Sequence, residues 1–560
     1  MGLFGKLFRR QPTRRELYLQ LQRGLNITRD YKTWIATWER YGAVENAPPP
    51  PLSLTIVVTG KARPADEAYW NTRAKAVTGL EVLRTGEESL SRSLPRLAAE
   101  AKGERLMFLA AADRLAEIAP HRLFPAIAAH PEADLIFGDE DQVDSAGARF
   151  AAWFKPDFGD DQFLCQNVFG RAVLFRKAAL QRLTPPGDTD LDSFVYILAL
   201  RTIPGARHEP LHCPGILVHV GGDPKATPLA RVRYLPAGPR LPAAEDFIDR
   251  RPTLHGAWVE GPDAHGFLRL RHPVPEAKPL VSIIVPTRDR KDLLAQCVQG
   301  LDEKTAYRDF ELIIVDNDSK EPETKAYFAT LAKRPNVRIV PGPGPFNYPR
   351  LINLGAAQAR GELLMTLNND IEAIEPGWLD ELVSQVLRPD VGLVGCLLLY
   401  PDNSVQHAGV VIGLSGVAGH MYGEVPAGDP GYAARIGVTQ DLSAVTGACQ
   451  IMRRSLFERL GGLDAAHLAV AYNDIDFCLR VRAAGLRVIY TPHAKLLHRH
   501  SASRGSDVRP DRLASFNWER EFMRVRWSPV IQDDPFFNPN LSLSGKRGRL
   551  ATAPRPRLYR

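Results

Sequence analysis

Four short apolar runs in the second half of the chain leave little room for any fold but a layered α/β one. They are VSIIVPTRD (281–289), ELIIVDND (311–318), VRIV (337–340) and ELLMTLNND (362–370), and three of the four close on aspartate. A short apolar run without alternation reads as a strand covered on both faces, as in a parallel sheet. The C-terminal edge of such a sheet opens into a ligand crevice, so the residues that end these runs are the first candidates for function.

The chain has 560 residues, too many for one core, so at least two domains are expected. Five segments are read from its composition. Residues 1–51 are a basic helical segment running into the prolines at 48–51, and 52–236 alternate strands (52–59, 105–111, 133–141) with helices (89–102, 112–130). Residues 237–279 read as a linker rich in Pro, Gly and charge, 280–527 as a second α/β domain, and 528–560 as a basic tail. The expected fold class is α/β, with two Rossmann-like domains built on mainly parallel sheets. The halves look related: QNVFGRAVLFRKAAL (166–180) and QDLSAVTGACQIMRRSLF (440–457) share a small-residue strand leading to a basic helix start.

Much of the net charge of +7 comes from the two ends, through Lys6, Arg9, Arg10, Arg14 and Arg15 and then Lys546, Arg547, Arg549, Arg555, Arg557 and Arg560. Such ends are solvated tails or contacts for anionic lipid. No basic motif is interleaved with aromatics, which argues against nucleic acid as a partner. Leu3, Phe4, Leu7 and Phe8 recur at helical spacing beside Lys6, Arg9 and Arg10. That suits either a short interfacial helix on the inner face of the plasma membrane or a helix docked on the protein's own body. Cys165, Cys213, Cys297, Cys396, Cys449 and Cys478 form no CxxC pair and read as reduced core residues of a cytoplasmic protein. No apolar run reaches bilayer length, and no signal peptide is visible.

In the second domain Thr287 and Asp289 follow the first strand and Asp316 ends the second. Acceptors there can bond a base or ribose hydroxyls, and can equally start turns and cap helices. Asn353, Gly355 and Arg360 precede the fourth strand, with Arg360 either reaching a phosphate or staying solvated. Asp370, in Asn368-Asn369-Asp370, offers a hard oxygen donor suited to a Mg²⁺ or Mn²⁺ that bridges two phosphates. One carboxylate makes a thin site, and His498 or His500 is a further candidate ligand. A carboxylate base is expected across the crevice, in 461–485. There Asn473 reads as an N-cap and Gly485 as a helix stop, so Asp474 falls where the helix dipole favours negative charge. Asp474 and Asp476 doing no more than complementing that dipole is the plainer reading of the same residues.

Taken together, VSIIVPTRDR, ELIIVDNDS, FNYPRLINLGAAQARGELLMTLNNDIE, YPDNSVQHAGVVIG, SAVTGACQIMRRSLF, NDIDFCLR and HRHSASRG resemble the inverting family 2 glycosyltransferases of the GT-A fold. More narrowly they resemble the rhamnosyltransferase-like members that build bacterial cell-surface polysaccharide. The resemblance covers nearly all of 280–527. It implies metal-dependent transfer from a dTDP- or UDP-sugar to a hydroxyl of a growing polysaccharide or glycolipid. It also implies Thr287 and Asp316 on the nucleoside, Asp370 on the metal, Asp474 as base and His498 beside metal and diphosphate. The family's DxD begins here with Asn368, which leaves that residue to touch ribose.

The same family often carries a second transferase-like domain in front, and FKPDFGDDQFLCQNVFGRAVLFRK (154–177) is similar to such a unit. A degenerate copy is expected. Ala110-Ala111-Ala112 stand where its DxD belongs, SFVYILALR (193–201) lacks a carboxylate where a base-bearing helix belongs, and His219 is left without a metal partner. Two rivals are weaker. A nucleotidyltransferase calls for a glycine-rich phosphate loop after the first strand, where the chain has PTRDR. A non-catalytic glycan-binding or scaffold protein has no use for both Asp370 and Asp474.

Overall fold

The computed structural model describes residues 27–36, 51–222, 237–263, 265–499, 513–544, 549–551 and 554–555. The amphipathic stretch at the N-terminus, His500 and most of the basic C-terminal end lie outside the described residues.

The first sheet is built from β1 (Leu54–Thr59), β2 (Leu80–Arg84), β3 (Arg105–Ala110), β4 (Arg114–Leu115), β5 (Leu135–Val143), β6 (Arg149–Trp153), β7 (Val173–Arg176) and β8 (Leu211–Gly221). Its order is β2-β1-β3-β7-β5-β8-β4, with β6 on β5. A small antiparallel ladder, β9 (Trp258–Glu260) with β10 (Arg269–Arg271), follows. The second domain contributes β11 (Val281–Thr287), β12 (Phe310–Asp316), β13 (Val337–Pro341), β14 (Leu363–Leu367), β15 (Ile371–Ala373), β16 (Val391–Leu399) and β17 (Val405–His407). It continues with β18 (Val410–Ile412), β19 (Ala418–His420), β20 (Gln440–Asp441), β21 (Cys449–Arg453) and β22 (Arg487–His498). The order of the large sheet is β13-β12-β11-β14-β21-β16-β22-β15, with β17 on β16 and β20 on β22.

Apart from the extra β13 and β20, the two sheets run strand for strand in the same order. The directions agree as well. β1 is parallel to β2 and β3 as β11 is to β12 and β14, and β7 and β21 each enter antiparallel. Both domains are thus mixed-sheet, Rossmann-like units. Every residue of β11 and of β16 is buried, which is why these segments show no polar alternation. β11, β12 and β14 end within two residues of Thr287, Asp316 and Asn368, so the polar residues collect along one edge of the sheet.

Three expectations about local structure are corrected. Residues 112–130 are not one helix: Arg114 and Leu115 pair with His219 and Val218, and the helix starts only at Ala119-Pro120, where proline suits the first turn. Residues 237–279 are not a loose linker either. Helix Ala237–Asp249 buries Ala244, Phe247 and Ile248 in the same apolar cluster as helix Leu191–Thr202. The described part of the tail is ordered against both domains. Asp534 accepts from Ile412 N and Ser443 Oγ, and Asn538 Nδ2 donates to Asp139. Helix Asn473–Ala483 also differs in one detail: Tyr472, in the left-handed region, holds the cap position, and Asn473 is the first helical residue.

The domains meet through a buried ionic junction. Asp161 of the first domain accepts from Arg388 at 2.6 and 3.0 Å and also pairs with Arg487, which in turn binds Asp390 and Asp441. Tyr432 closes a second contact, donating to Ala152 O at 3.0 Å and accepting from Phe154 N at 2.8 Å. Among the described residues all six cysteines are free and buried, and no helix is long and apolar enough to cross a membrane.

Candidate active site

The polar edge of the second sheet brings several of the expected residues together. Asp370 immediately precedes β15, whose Ile371 lies opposite His498 on β22. The Asp370 carboxylate, 6 % exposed, faces His498 Nε2 at 3.1 Å. Asp474 is the second residue of helix Asn473–Ala483; its Oδ2 accepts from Gly447 N at 2.7 Å and its Oδ1 from Ile475 N at 2.8 Å. A Cβ added to Gly447 would lie 2.9 Å from Asp474 Cβ, so only glycine allows this approach.

One short stretch of backbone joins the two carboxylates. Gly447 holds Asp474, and the next residue, Ala448, accepts from Asn368 N at 3.0 Å, two residues before Asp370. Gly447 O also accepts from Thr366 Oγ1 at 2.9 Å and Tyr348 OH at 3.0 Å. Burial first, then Asp474 and more weakly Asp370, push the pKa of the Tyr348 phenol up. Asp370 and Asp474 therefore share one end of the sheet, with the half-buried Tyr348 beside Gly447. Tyr348, Thr366 and Gly447 were not singled out from the sequence: a lone Tyr or Thr in an apolar segment carries no signal until the fold closes.

The other candidates have different surroundings. Thr287 is buried, and its Oγ1 accepts from Asn369 Nδ2 at 2.9 Å. Asp316 Oδ1 accepts from Ser319 N at 2.9 Å. Asp289 Oδ1 takes the backbone N–H groups of Lys320 and Glu321 at 2.6 and 2.8 Å, ahead of helix Pro322–Leu331, which is turn and cap chemistry. Asn353 Nδ2 and Oδ1 bond Leu463 O and Leu463 N, both at 2.9 Å, pinning the loop before the Asp474 helix. Arg360 is not brought to the others. It precedes β14 and pairs at 2.8 Å with Glu311, near the start of β12, whereas the polar edge gathers the strand ends. Asn368 lies at the same edge, its backbone N–H bonded to Ala448 O.

Asp370 and His498 offer one oxygen and one nitrogen donor converging from neighbouring strands. That donor set suits Mg²⁺ or Mn²⁺, which take their remaining ligands from phosphates and water. Among the described residues no group of three or more His, Cys, Asp and Glu side chains is placed to hold a metal ion.

The first domain corrects one reading from sequence. β3 ends in alanines, but Asp113 lies immediately before β4, as Asp370 lies before β15. The helix preceding β8 starts at Leu191, so Asp192 is its second residue, as Asp474 is in its own helix. Both carboxylates are taken up by Arg171, whose Nη1 reaches Asp113 at 2.7 and 2.8 Å and whose Nε reaches Asp192 at 2.8 Å. Asp113 also accepts from Ala110 N and Gly221 N. His219 Nδ1 bonds Asp141 at 2.6 Å.

Residues 282–461 match the family described as glycosyl transferase family 2. An uncharacterized protein of Sinorhizobium fredii, y4gI, is 39 % identical over 422 residues, which is 74 % of this chain and 46 % of that protein. The O-antigen biosynthesis protein RfbC of Myxococcus xanthus is 37 % identical over 453 residues, 80 % of this chain and 34 % of that one. The chain thus spans less than half the length of these two curated relatives. An N-acetylglucosaminyl-diphospho-decaprenol L-rhamnosyltransferase of Mycobacterium tuberculosis is 26 % identical over 220 residues, 36 % of this chain and 70 % of that one. Among solved structures, a Pyrobaculum calidifontis mannosyltransferase in complex with GDP-mannose and Mn²⁺ matches at 19 % identity and a TM-score of 0.35, covering 46 % of this chain and 70 % of that one. Residues 282–461 are thus similar to family 2 glycosyltransferases, and a rhamnosyltransferase is among the relatives.

Proposed function

We propose that the second domain is an inverting, metal-dependent glycosyltransferase. It moves a sugar from a nucleotide-diphosphate sugar, dTDP- or UDP-linked, to a hydroxyl of a growing cell-surface polysaccharide or glycolipid. The observation that carries this reading is the shared end of the sheet: Asp474 hangs on Gly447, and Asp370 stands two residues beyond the partner of Ala448.

Asp370 and His498 would hold the cation, Mg²⁺ or Mn²⁺. When bound, it supplies positive charge against the diphosphate, where negative charge grows as the glycosidic bond breaks. Thr287 and Asp316 line the nucleoside end, with Asn368 toward the ribose. Asp474 removes the proton of the acceptor hydroxyl as its oxygen attacks the anomeric carbon. Gly447 N and Ile475 N aim the carboxylate during that step. One base and no protein nucleophile give inversion.

The first domain takes no part in the chemistry. With Asp113 and Asp192 held by Arg171, it serves as a degenerate brace for the second, joined to it through Asp161. The six buried free cysteines suit a reducing compartment, and the transfer is assigned to the cytoplasmic side. The test is incubation of the full chain with a panel of UDP- and dTDP-sugars, with Mn²⁺ or with chelator. Metal-dependent release of nucleoside diphosphate supports the transferase. No release from any donor, with sugar-polymer binding retained, supports a non-catalytic glycan-binding protein instead.

A further inference from the structure

Gln406 belongs to the QHAG stretch, and its contacts fix the orientation of a neighbouring imidazole. It lies on β17 and is 8 % exposed; His498, on β22, is 6 % exposed. Two hydrogen bonds join them. Gln406 Nε2 donates to the backbone carbonyl of His498 at 3.2 Å, and Gln406 Oε1 meets His498 Nδ1. The first contact determines the second. A carbonyl accepts only, so the amide nitrogen must face it, and the amide oxygen is then the atom that faces the ring. An oxygen acceptor against Nδ1 requires the proton on Nδ1. The ring's other nitrogen, Nε2, is the atom 3.1 Å from Asp370 Oδ1.

We infer that Gln406 is a positioning residue for the candidate cation site, holding His498 as the Nδ1–H tautomer with Nε2 turned toward Asp370. This rests on the reading of Asp370 and His498 given above. A carboxylate and an imidazole lone pair that converge at this distance repel unless a cation or a proton lies between them. Without the acceptor on Nδ1, the proton can move to Nε2, where an N–H donated to Asp370 would exclude a metal ion. The first domain keeps the same kind of partner: His219 on β8 has its Nδ1 against an oxygen of Asp141 at 2.6 Å. A hydrogen bond on the ring nitrogen that does not ligate is the usual means of fixing a metal-binding histidine, and its loss costs 10- to 100-fold in metal affinity.

The experiment compares the full chain with Gln406→Leu, which removes both hydrogen bonds, and Gln406→Glu, which keeps an acceptor against Nδ1 and loses only the donation to His498 O. Mn²⁺ affinity is measured by electron paramagnetic resonance. The His498 tautomer in the metal-free protein is read from imidazole ¹⁵N shifts, assigned by their absence in His498→Ala. Q406L is expected to bind Mn²⁺ about 10- to 100-fold more weakly and to lose the Nδ1–H signal, while Q406E keeps that signal. Wild-type affinity and an unchanged Nδ1–H signal in a folded Q406L overturn the inference, as does loss of that signal in Q406E to the same extent as in Q406L. If Q406L does not fold, the absence of an Nδ1–H signal in the wild-type protein overturns it and its presence upholds it. A wild-type chain that binds no Mn²⁺ refutes the metal reading of Asp370 and His498, and the ¹⁵N tautomer then decides the role of Gln406 by itself.

Discussion

Gly447 donates its backbone N–H to Asp474 Oδ2 at 2.7 Å, and a side chain at position 447 could not be fitted there. The contact ties the start of helix Asn473–Ala483 to the segment entering β21, whose next residue accepts from Asn368 on the way to Asp370. The segment between the proposed proton acceptor and the proposed cation ligand is thus tied by backbone groups of Gly447 and Ala448, which cannot change rotamer. Pre-positioning of this kind is where much of the rate of a displacement reaction comes from.

Asp474→Asn keeps the shape of the side chain and removes its basicity. A general base contributes about 10²- to 10⁴-fold, so kcat for sugar transfer should fall by that factor. Donor Kd, measured by calorimetry in the presence of Mn²⁺, should stay near wild type. A variant that turns over like wild type would show that the proton goes elsewhere.

The junction between the domains should be costly to break. Asp161 is fully buried between Arg388 and Arg487. Removing one partner of such a pair leaves uncompensated buried charge, and Asp161→Ala should cost about 3–5 kcal/mol. Urea unfolding followed by fluorescence measures it. A loss below about 1 kcal/mol would mean that the pair behaves as a solvated one.

The junction also carries an acid-sensitive group. Burial, and then the Arg388 charge, push the pKa of His272 down to about 4, and its Nε2 has no hydrogen-bond partner among the described residues. The unfolded chain binds a proton near pH 6.5, whereas the folded protein resists doing so until about pH 4. Stability from this group is therefore complete above pH 6.5 and is lost as pH falls toward 4, by about 2 kcal/mol at pH 5. Asp160 works in the opposite sense, since burial pushes its carboxyl up to about 6 and acid relieves that cost. Comparing His272→Gln with wild type cancels the Asp160 contribution. Urea unfolding at pH 7 and pH 5 should show a shallower acid loss in the variant, and identical losses would contradict the assignment.

The polar edge of the second sheet was legible because fully buried strands carry no alternation, so each apolar run ends where the loop begins. Thr287, Asp316 and Asp370 could be located from that rule alone. Arg360 was misleading because its neighbours in sequence lead into β14 from the opposite end, where Glu311 is its partner. Asp113 was hidden for a different reason. An alanine-rich stretch has high helix propensity, and only pairing with β8 makes Arg114 and Leu115 a strand. Asp192 was missed because the helix starts two residues ahead of its apolar run, capped by Asp190. Residues 237–249 looked like a linker because their prolines and charges mask the few apolar side chains, Ala244, Phe247 and Ile248, that dock on the first domain.

The central claim is that Asp370 anchors a cation which holds the diphosphate of the donor. Thermal unfolding of the full chain with UDP or dTDP, with and without Mn²⁺, tests it most directly, alongside Asp370→Asn. A ligand present at 100 times its Kd adds about 2.7 kcal/mol of stability. The account predicts a rise in Tm only when nucleotide and Mn²⁺ are both present, lost in D370N and retained in D474N. A nucleotide-induced rise of equal size without metal, or in D370N, would contradict it.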